Sequence, residues 1–432
     1  MKKLLDPKRE SWEGILKRPT QTYADIEPLV AQIFREIADQ GDLAVKKYTK
    51  KFDKADLSGL EVDQLEIDLA KETLDVHLKK AIQLAKSNIE AFHASQQVFP
   101  KKVETTKGVV CWQEKRAIEK VGLYIPGGTA PLFSTILMLA VPAAIAGCEE
   151  VVMCTPCDAE GKVHPAVLYT ADLCGIKKIF KVGGIQAIAA MTFGTESIPQ
   201  VYKLFGPGNQ YVTVAKQMAM KFGVAIDLPA GPSELLVYAD DSATANFMAA
   251  DLLSQAEHGV DSQVVLVCRS MEKLGEIEKE LEEQLKKLPR RDIAAKAIEN
   301  SKLIYCSTEK DAIDLINLYA PEHLILSTAD NDSMIPKIKN AGSVFIGNYT
   351  PESAGDYASG TNHTLPTNGY ARNFSGVNLE AFQKTISFQE ISKEGLVHIG
   401  TAIELMAEAE GLYAHKNAVS LRLDSINDKT KI

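Results

Sequence analysis

The stretch VGLYIPGGTAPLFSTILMLAVPAAI, residues 121–145, predicts the fold of this chain. An apolar strand over Val121 to Ile125 is followed by the turn Pro126-Gly127-Gly128 and by a helical run from Leu132 to Ile145. Short apolar strands that alternate with helices indicate a parallel sheet with crossover helices. The same order recurs in Ile179 to Val182 before Gly183-Gly184 and a helix from Ile185, and in Val201 to Phe205 before Gly206-Pro207-Gly208-Asn209 and a helix near Tyr211.

The three glycine turns predict where a ligand binds. Turns that follow parallel strands lie at the carboxyl edge of the sheet, where open α/β folds bind ligands. Glycine lets the backbone approach a ligand closely, and the helix N-terminus after it favours phosphate, so a dinucleotide is the natural candidate. None of the turns has the GxGxxG spacing with an acidic residue ~20 positions further on. Glycines are also needed simply to turn the chain, so the turns alone leave both interpretations open.

The rest of the chain predicts a second layer of the same kind. Alternating strands and helices resume at Leu235 and continue past Tyr305. Helical spacing over Tyr23 to Tyr48 and over Glu72 to Phe92 precedes a β-like stretch over Val103 to Trp112. We therefore predict an α/β fold with two Rossmann-like domains on parallel-type sheets, plus helical N-terminal and C-terminal segments.

The predicted division of the chain places one α/β domain inside another. The boundaries are an N-terminal arm over residues 1–20, an outer α/β domain over 21–120 and 235–376, an inserted α/β domain over 121–234 with the glycine turns, and a C-terminal helical segment over 377–432. The outer domain holds most of the candidate catalytic and metal-binding residues.

Composition and charge exclude several classes of protein. A hydrophobic content of 45% and a charged content of 24% are those of an ordinary globular protein. A formal net charge of -9 argues against nucleic acid or an anionic membrane as the main partner. The opening MKKLLDPKRE lacks the apolar core of a signal peptide, and the apolar run Leu132 to Gly147 is broken by Pro142 and shorter than the ~20 residues that span a bilayer. We expect a small-molecule partner and a cytoplasmic location.

The cysteines favour reduced thiols. There are seven, an odd number without the spacing of a disulfide framework. Cys154-Thr155-Pro156-Cys157 forms a CxxC pattern, but no second CxxC completes a zinc site, so we interpret it as small residues at the end of a strand.

The first candidate ligands lie in residues 251–259, DLLSQAEHG. An apolar helical run is predicted to end with Gln255 and His258, and Gly259 is predicted to be its C-cap. Residues three apart on a helix share a face, so the Gln255 amide and the His258 imidazole could converge on one point. This pair alone does not define a metal site, because a histidine in the last turn also interacts well with the helix dipole.

Glu322 and His323, after Pro321, form a candidate acid-base pair. Adjacent residues within a strand point to opposite faces, so the two could serve one site only where a strand begins, and Pro321 places them there. The alternative is a strand entry in which one of the two residues is merely solvated.

The segment ESAGDYASGTNH, residues 352–363, is polar and rich in small residues, which is typical of a functional loop. Asp356 is a possible carboxylate ligand, although aspartate beside glycine is also common in turns. His363 either contacts a substrate or is a turn residue. In the C-terminal helices, Glu410 and His415 flank Gly411 within a segment whose apolar excess predicts docking on a partner subunit.

Four of these residues form a possible ligand set. Gln255, His258, Asp356 and His415 would supply two imidazole nitrogens and two oxygens, without a thiolate. This set suits zinc in an open catalytic site, or manganese or cobalt, better than a closed structural site. The spacing does not show whether the four residues meet.

The chain resembles the histidinol dehydrogenase family from about Tyr23 to about Arg422. The passages that carry the resemblance occur in unbroken order and are VGLYIPGGTAPLFST, VGGIQAIAAMTFGTESIP, FGPGNQYVT, LPAGPSELLV, DLLSQAEHG, APEHL and SAGDYASGTNH. The resemblance implies the four-electron oxidation of L-histidinol to L-histidine through L-histidinaldehyde, with two NAD used in succession, as the last step of histidine biosynthesis. It also implies a homodimer with one zinc ion per subunit and shared active sites, into which the C-terminal segment of the other subunit reaches.

The resemblance implies roles for individual residues. The implied zinc ligands are Gln255, His258, Asp356 and the other subunit's His415; the catalytic pair is Glu322 and His323; the NAD contacts are Tyr124, Gln186 and Asn209; and the substrate contacts are Ser233, Gln255, His258, His323, Asp356, Glu410 and His415, with Glu410 also reaching across the dimer. His323, with a pKa near neutrality, would accept the alcohol proton, and Glu322 would activate water for attack on the aldehyde. Zinc would hold the imidazole and amine of the substrate as a template.

Three other functions compete with this interpretation. A sibling zinc and NAD dehydrogenase would oxidise another polar alcohol to its acid and would differ at Ser233, His363 or Glu410. A zinc hydrolase would use Glu322 to activate water and would bind no NAD, which the glycine turns argue against. A non-catalytic binding protein would have no reason to retain both Glu322 and His323.

Overall fold

The computed structural model of the chain describes residues 1–19, 25–127, 131–229 and 231–428. Gly128 of the first glycine turn and Tyr23 of the first predicted helical stretch lie outside these residues. The chain divides into two compact units, one formed by Met1–Gln96 and Ile118–Phe382 and the other by Gln97–Ala117 and Gln383–Ile432. The strands of the described residues are β1 (Lys2–Leu5), β2 (Val103–Thr106), β3 (Val109–Ala117), β4 (Lys120–Tyr124), β5 (Glu150–Thr155), β6 (Lys178–Lys181), β7 (Lys203–Phe205), β8 (Ala225–Ile226), β9 (Glu234–Ala239), β10 (Gln263–Cys268), β11 (Lys302–Tyr305), β12 (His323–Ser327), β13 (Ser343–Ile346) and β14 (Gln383–Ile391).

Helices connect most of these strands. Those of the first unit are α1 (Trp12–Ile15), α2 (Glu27–Gln40), α3 (Asp42–Phe52), α4 (Gln64–Thr73), α5 (Val76–Ala94), α6 (Ser134–Ala146), α7 (Pro165–Leu173), α8 (Gly184–Phe193), α9 (Gln210–Met220), α10 (Ala245–Ala256), α11 (Met271–Leu285), α12 (Arg291–Glu299), α13 (Glu309–Tyr319), α14 (Asn331–Met334) and α15 (Glu352–Tyr357), and those of the second unit are α16 (Lys393–Ala409) and α17 (Tyr413–Asp428). In the part of the chain that the structure describes, every helix is too short or too polar to span a bilayer.

The first unit contains two parallel sheets, which confirms the predicted α/β class. The five-stranded sheet has the order β6-β5-β4-β7-β8, and the six-stranded sheet has the order β1-β11-β10-β9-β12-β13. Each sheet is doubly wound, because its chain order reverses at one point: between β4 and β7 in the first and between β9 and β12 in the second. Such switch points are where open α/β sheets form ligand crevices. The strands and helices around all three glycine turns are therefore confirmed.

Both helical stretches predicted before the first sheet are divided. Gly41, with φ +52, separates α2 from α3, and Leu74 and Asp75 separate α4 from α5. The sequence did not reveal the break at Gly41, because leucine and valine residues continue at helical spacing on both sides of it. The buried faces of α2 and α3 pack with the five-stranded sheet, since Ile33 and Tyr48 share a core with residues of β5, β6 and α8. The predicted domain boundaries stay a prediction.

The second unit is built on an antiparallel sheet. β3 lies between β2 and β14, and the Trp112 and Phe388 rings stack at 5.4 Å across the β3 and β14 pair. The β-like stretch predicted from Val103 is therefore confirmed. The C-terminal segment forms the two helices α16 and α17, as predicted, and it also contributes the nine-residue strand β14, whose Ile386 and Phe388 favour a strand.

Candidate active site

The predicted acid-base pair lies at the amino edge of the six-stranded sheet, at its switch point. Tyr319 ends α13, Ala320 has a left-handed conformation with φ +52, and Pro321 leads to Glu322 and to His323, the first residue of β12. Both Glu322 and His323 are buried, at 6% and 4% exposed. The alternative in which one of them is merely solvated is therefore wrong.

The first residue of the neighbouring strand β9 holds both members of the pair. The backbone N–H of Glu234 donates a hydrogen bond to Glu322 Oε2 at 2.8 Å. The carbonyl oxygen of Glu234 lies 3.1 Å from His323 Nδ1, and since a carbonyl only accepts, the hydrogen is on Nδ1. His323 Nε2 has no hydrogen-bond partner among the described residues. This nitrogen is the one that can exchange a proton with a substrate.

Burial and charge determine how the pair titrates. Burial raises the pKa of Glu322 to about 8, and the charge of His323 only partly opposes this effect. Burial alone would lower the pKa of His323. The carboxylates of Glu322, Glu352 and Asp356 outweigh burial and raise the pKa of His323 to about 10. Without a bound cation, the three acidic groups around the ring thus favour the protonated imidazole. A divalent cation held by Asp356 would offset their charge and lower the pKa of His323, so the value near neutrality expected for His323 stays a prediction.

Glu352 is a site residue that the sequence interpretation missed. It is 1% exposed, its Oε2 accepts from Ser254 Oγ at 3.1 Å, and its Oε1 lies 3.6 Å from His323 Nδ1. Burial raises the pKa of Glu352 well above its ordinary value. Its spacing of four from Asp356 puts the two carboxylates on one face of α15, which is the signal that could have revealed it.

Two of the four proposed metal ligands show the features expected of a metal site. Gln255 is 1% exposed, and neither its amide oxygen nor its amide nitrogen has a hydrogen-bond partner within the described ranges. A buried amide without a partner costs free energy, so its oxygen suits a bound cation. Asp356 Oδ1 lies 3.7 Å from His323 Nε2, and ligand atoms of His323, Glu352 and Asp356 all lie within 4.8 Å of one another. The residues present therefore fit a divalent cation.

The predicted end of the helix at His258, with Gly259 as its C-cap, is wrong, whereas the convergence of the Gln255 and His258 side chains stays a prediction. Helix α10 ends at Ala256, and His258 N–H donates to Gln255 O at 3.3 Å, which tightens the chain into a turn before Gly259. His258 is exposed in this turn, but the Asp356 carboxylate is close enough to interact with its charge. Burial raises the pKa of Asp356, yet the contact with His323 and the charges of the neighbouring histidines lower it overall.

His363 connects the polar segment of residues 352–363 to helix α6. Its Nδ1 lies 2.8 Å from Asp356 O, and its Nε2 lies 3.1 Å from Thr135 Oγ1 on α6. Both ring nitrogens are therefore engaged by protein groups. Its neighbour Asn362 donates to Met138 O at 2.6 Å, which fixes the same loop on α6.

The remaining predicted substrate residues lie in different units. Ser233 is partly buried and directly precedes Glu234 at the start of β9. Glu410 and His415 belong to the second unit, where Glu410 caps the C-terminus of α16 and His415 lies in the first turn of α17. Both are exposed.

The predicted NAD contacts line a cavity of about 1090 Å³ around the carboxyl edge of the five-stranded sheet. Tyr124, Gln186 and Asn209 all contribute to its wall. The backbone N–H of Gly184 donates to the Tyr124 hydroxyl at 3.1 Å, and Asn209 caps α9. The volume is at the upper end of the ~300–1,000 Å³ of small-molecule sites, as an extended ligand requires.

The switch point of the five-stranded sheet requires glycine for a packing reason, because a Cβ at Gly206, with φ +132, would lie 2.1 Å from Tyr124 O. Gln186 Oε1 is buried without a hydrogen-bond partner in the described chain, while its Nε2 donates to Asp53 Oδ2 at 3.3 Å. Asp53, at the end of α3, is thus an acidic group at the cavity. Because it precedes the glycine turns in the chain, a search for an acidic residue after each turn could not find it.

Switch-point glycine turns beside a dinucleotide-sized cavity, together with a buried acid-base pair, are features that a dinucleotide-dependent oxidoreductase of the α/β class requires. Comparison with known proteins makes the class specific. The family model of histidinol dehydrogenase matches residues 16–423, and the chain belongs to the histidinol dehydrogenase family. It is an oxidoreductase of that family.

Individual relatives match along nearly the whole chain. The chain is 58% identical over 426 residues to histidinol dehydrogenase from Bacteroides thetaiotaomicron, covering 99% of this chain and 100% of that protein. It is 49% identical over 425 residues to histidinol dehydrogenase from Campylobacter jejuni, covering 98% of each. The crystal structure of histidinol dehydrogenase from Elizabethkingia anophelis is 55% identical and covers 99% of both chains with a TM-score of 0.97.

Proposed function

We propose that this chain catalyses the NAD-dependent, four-electron oxidation of L-histidinol to L-histidine through L-histidinaldehyde, the last step of histidine biosynthesis. The observation that carries the proposal is the buried Glu322 and His323 pair, and the buried, unpartnered amide of Gln255 supports it. Membership of a dehydrogenase family removes support from the zinc hydrolase and from the binding protein considered above. The cytoplasmic location stays a prediction.

The proposed chemistry assigns the proton transfers to the acid-base pair. His323 Nε2 accepts the hydroxyl proton of histidinol as hydride leaves the alcohol carbon, which yields the aldehyde. Glu322 accepts a proton from water as the water oxygen attacks the aldehyde carbon, and His323 returns its proton to the aldehyde oxygen, which yields the hydrate. His323, again a base, then accepts a hydroxyl proton of the hydrate during the second hydride loss, which yields the carboxylic acid, and this acid releases its remaining proton to water to become the carboxylate. NAD, when bound, supplies the hydride acceptor for each oxidation, and Tyr124, Gln186 and Asn209 are the residues proposed to hold it.

We further propose one zinc ion per subunit, held by Gln255, His258, Asp356 and His415 of the partner subunit. Zinc, when bound, supplies a fixed positive charge that orients the imidazole and amine of the substrate. The orphaned amide of Gln255 and the lowered pKa of Asp356, which its histidine neighbours cause, support this assignment. The oxygen and imidazole donors would also accept manganese or cobalt.

The proposed substrate contacts surround this ligand set. They are Ser233, Gln255, His258, His323, Asp356, Glu410 and His415, of which Glu410 and His415 would come from the partner subunit. Exposed apolar side chains on and between α16 and α17 support a homodimer, because a second copy would cover them. They are Val397, Leu405, Met406, Leu412, Tyr413 and Leu421.

Mixed dimers test whether active sites are shared. The variants His258→Ala and His415→Ala should each be inactive alone, but a mixed dimer would retain one site with both histidines. Random exchange of subunits should therefore restore about one quarter of wild-type activity. Activity is measured as NADH formation after co-refolding of differently tagged chains.

The matched control for the mixed dimers is His398→Ala, since His398 is an exposed histidine on α16. This variant should keep full activity with or without mixing. Heterodimers that are verified by both tags and remain inactive would contradict a shared site.

A further inference from the structure

Arg18 and Glu234 form a buried ion pair next to the acid-base residues. Arg18 donates from Nε to Glu234 Oε1 at 2.6 Å and from Nη2 to Glu234 Oε2 at 2.7 Å. The two side chains are only 13% and 2% exposed. Two parallel hydrogen bonds of this kind fix the position of a carboxylate as well as its charge.

Arg18 also contacts the chain that leads to the acid-base pair. Its Nη2 donates to Tyr319 O at 2.7 Å, and its guanidinium carbon lies 4.0 Å from the centre of the Tyr319 ring. Tyr319 is the last residue of α13 and stands three positions before Glu322. The Arg18 side chain thus contacts both the first residue of β9 and the last residue of the helix that precedes β12.

The residue that Arg18 holds contacts Glu322 and His323 through its backbone. The peptide N–H of Glu234 donates to Glu322 Oε2 at 2.8 Å, and its carbonyl oxygen lies 3.1 Å from His323 Nδ1. The Glu234 carboxylate, in turn, accepts from Asn368 N–H at 2.6 Å in addition to Arg18. The backbone of Glu234, through the peptide groups on both sides of its Cα, therefore determines the position of Glu322 and which nitrogen of His323 carries hydrogen.

A purely stabilising role explains this arrangement poorly. Burial of a charged pair carries a desolvation cost that well-packed apolar residues avoid, so such a pair is weak evidence for stability. Burial raises the pKa of Glu234 despite the Arg18 charge. The cost is incurred at a strand end whose backbone contacts both acid-base residues.

We propose that Arg18 is a positioning residue for the dehydrogenase reaction and acts through Glu234 to hold Glu322 and His323 in their reactive orientation. This inference rests on the proposed function. Lysine keeps the positive charge but has a single terminal nitrogen, so it cannot reproduce the paired hydrogen bonds and the Tyr319 contact together.

The test compares Arg18→Lys with wild-type enzyme. We expect kcat per folded, metal-loaded site to fall by about 10–100-fold, since small displacements of reacting groups have effects of this size. The KM for NAD, the metal content and the affinity for NAD measured by calorimetry should stay within twofold. Arg9→Lys is the control, because Arg9 lies in the same N-terminal segment and pairs with Asp311 and Asp314 at the surface. This control should keep wild-type kcat.

A second variant keeps the inference testable if Arg18→Lys does not fold. In Arg18→Ala, added methylguanidinium should restore part of kcat without changing the affinity for NAD, whereas a merely structural role would change only the melting temperature. A folded Arg18→Lys enzyme with kcat within twofold of wild type, or no rescue of folded Arg18→Ala, would overturn the inference. Absence of NADH formation by the wild-type enzyme would instead overturn the proposed function.

Discussion

Replacement of His323 by asparagine is expected to lower kcat for histidinol oxidation by about 10²–10⁴-fold, the range for loss of a general base. Asparagine retains an N–H near the position of Nδ1 that can donate to Glu234 O, but it lacks the atom that corresponds to Nε2. Proton acceptance is therefore removed while the contact to β9 is preserved. The measurement is steady-state and single-turnover formation of NADH.

The loss in His323→Asn should be specific to chemistry. The affinity for NAD and the zinc content should match those of wild type, because His323 is neither among the described residues that line the cavity proposed for NAD nor one of the proposed zinc ligands. His398→Asn, at the exposed histidine of α16, is the control and should have normal kcat. A His323→Asn enzyme that retains more than a tenth of wild-type kcat would show that another group is the base.

Glu322→Gln is expected to slow the second oxidation far more than the first. Glutamine keeps the acceptor for the Glu234 N–H but cannot take a proton from water. A single turnover with excess NAD should form one NADH rapidly and the second about 10²–10⁴-fold more slowly than in wild type. Rapid-mixing absorbance resolves the two phases.

Glu352→Gln distinguishes water activation from a change in charge beside His323. Both carboxylates lie 3.6 Å from His323 Nδ1, so both variants remove a neighbouring acidic group from the ring. Only Glu322→Gln should separate the two NADH phases. If both variants slow both phases equally, the role of Glu322 is electrostatic and its assignment to water is wrong.

Local patterns in the sequence predicted the elements of the fold well. The apolar strands beside the glycine turns, at Val121 to Ile125 and Val201 to Phe205, appear as strands of one parallel sheet because their burial on both faces leaves a continuous apolar run. Gly206 follows β7 at the switch point, as its place after an apolar strand predicted, and the binding of a ligand at this edge stays a prediction. Strand β14 was missed because its residues are mostly exposed and alternate too weakly between apolar and polar to indicate a strand.

The site was only partly predictable from the residues themselves, for a physical reason. Glu322 and His323 are adjacent, so their shared strand entry could be inferred. Arg18 and Glu234 are 216 positions apart, and no pattern along the chain shows that they pair. The spacing of Glu352 and Asp356 is that of one helical face, but the small residues between and after them are typical of a loop, so the helix was not expected.

The most direct test of the proposed function is the number of NADH formed per L-histidinol consumed by purified enzyme, before and after chelation and the return of zinc. The account predicts two NADH per histidinol, loss of activity on chelation, and recovery when zinc is restored. A metal-replete enzyme that forms no NADH from histidinol would contradict the assignment, and one NADH with release of the aldehyde would contradict the role given to Glu322.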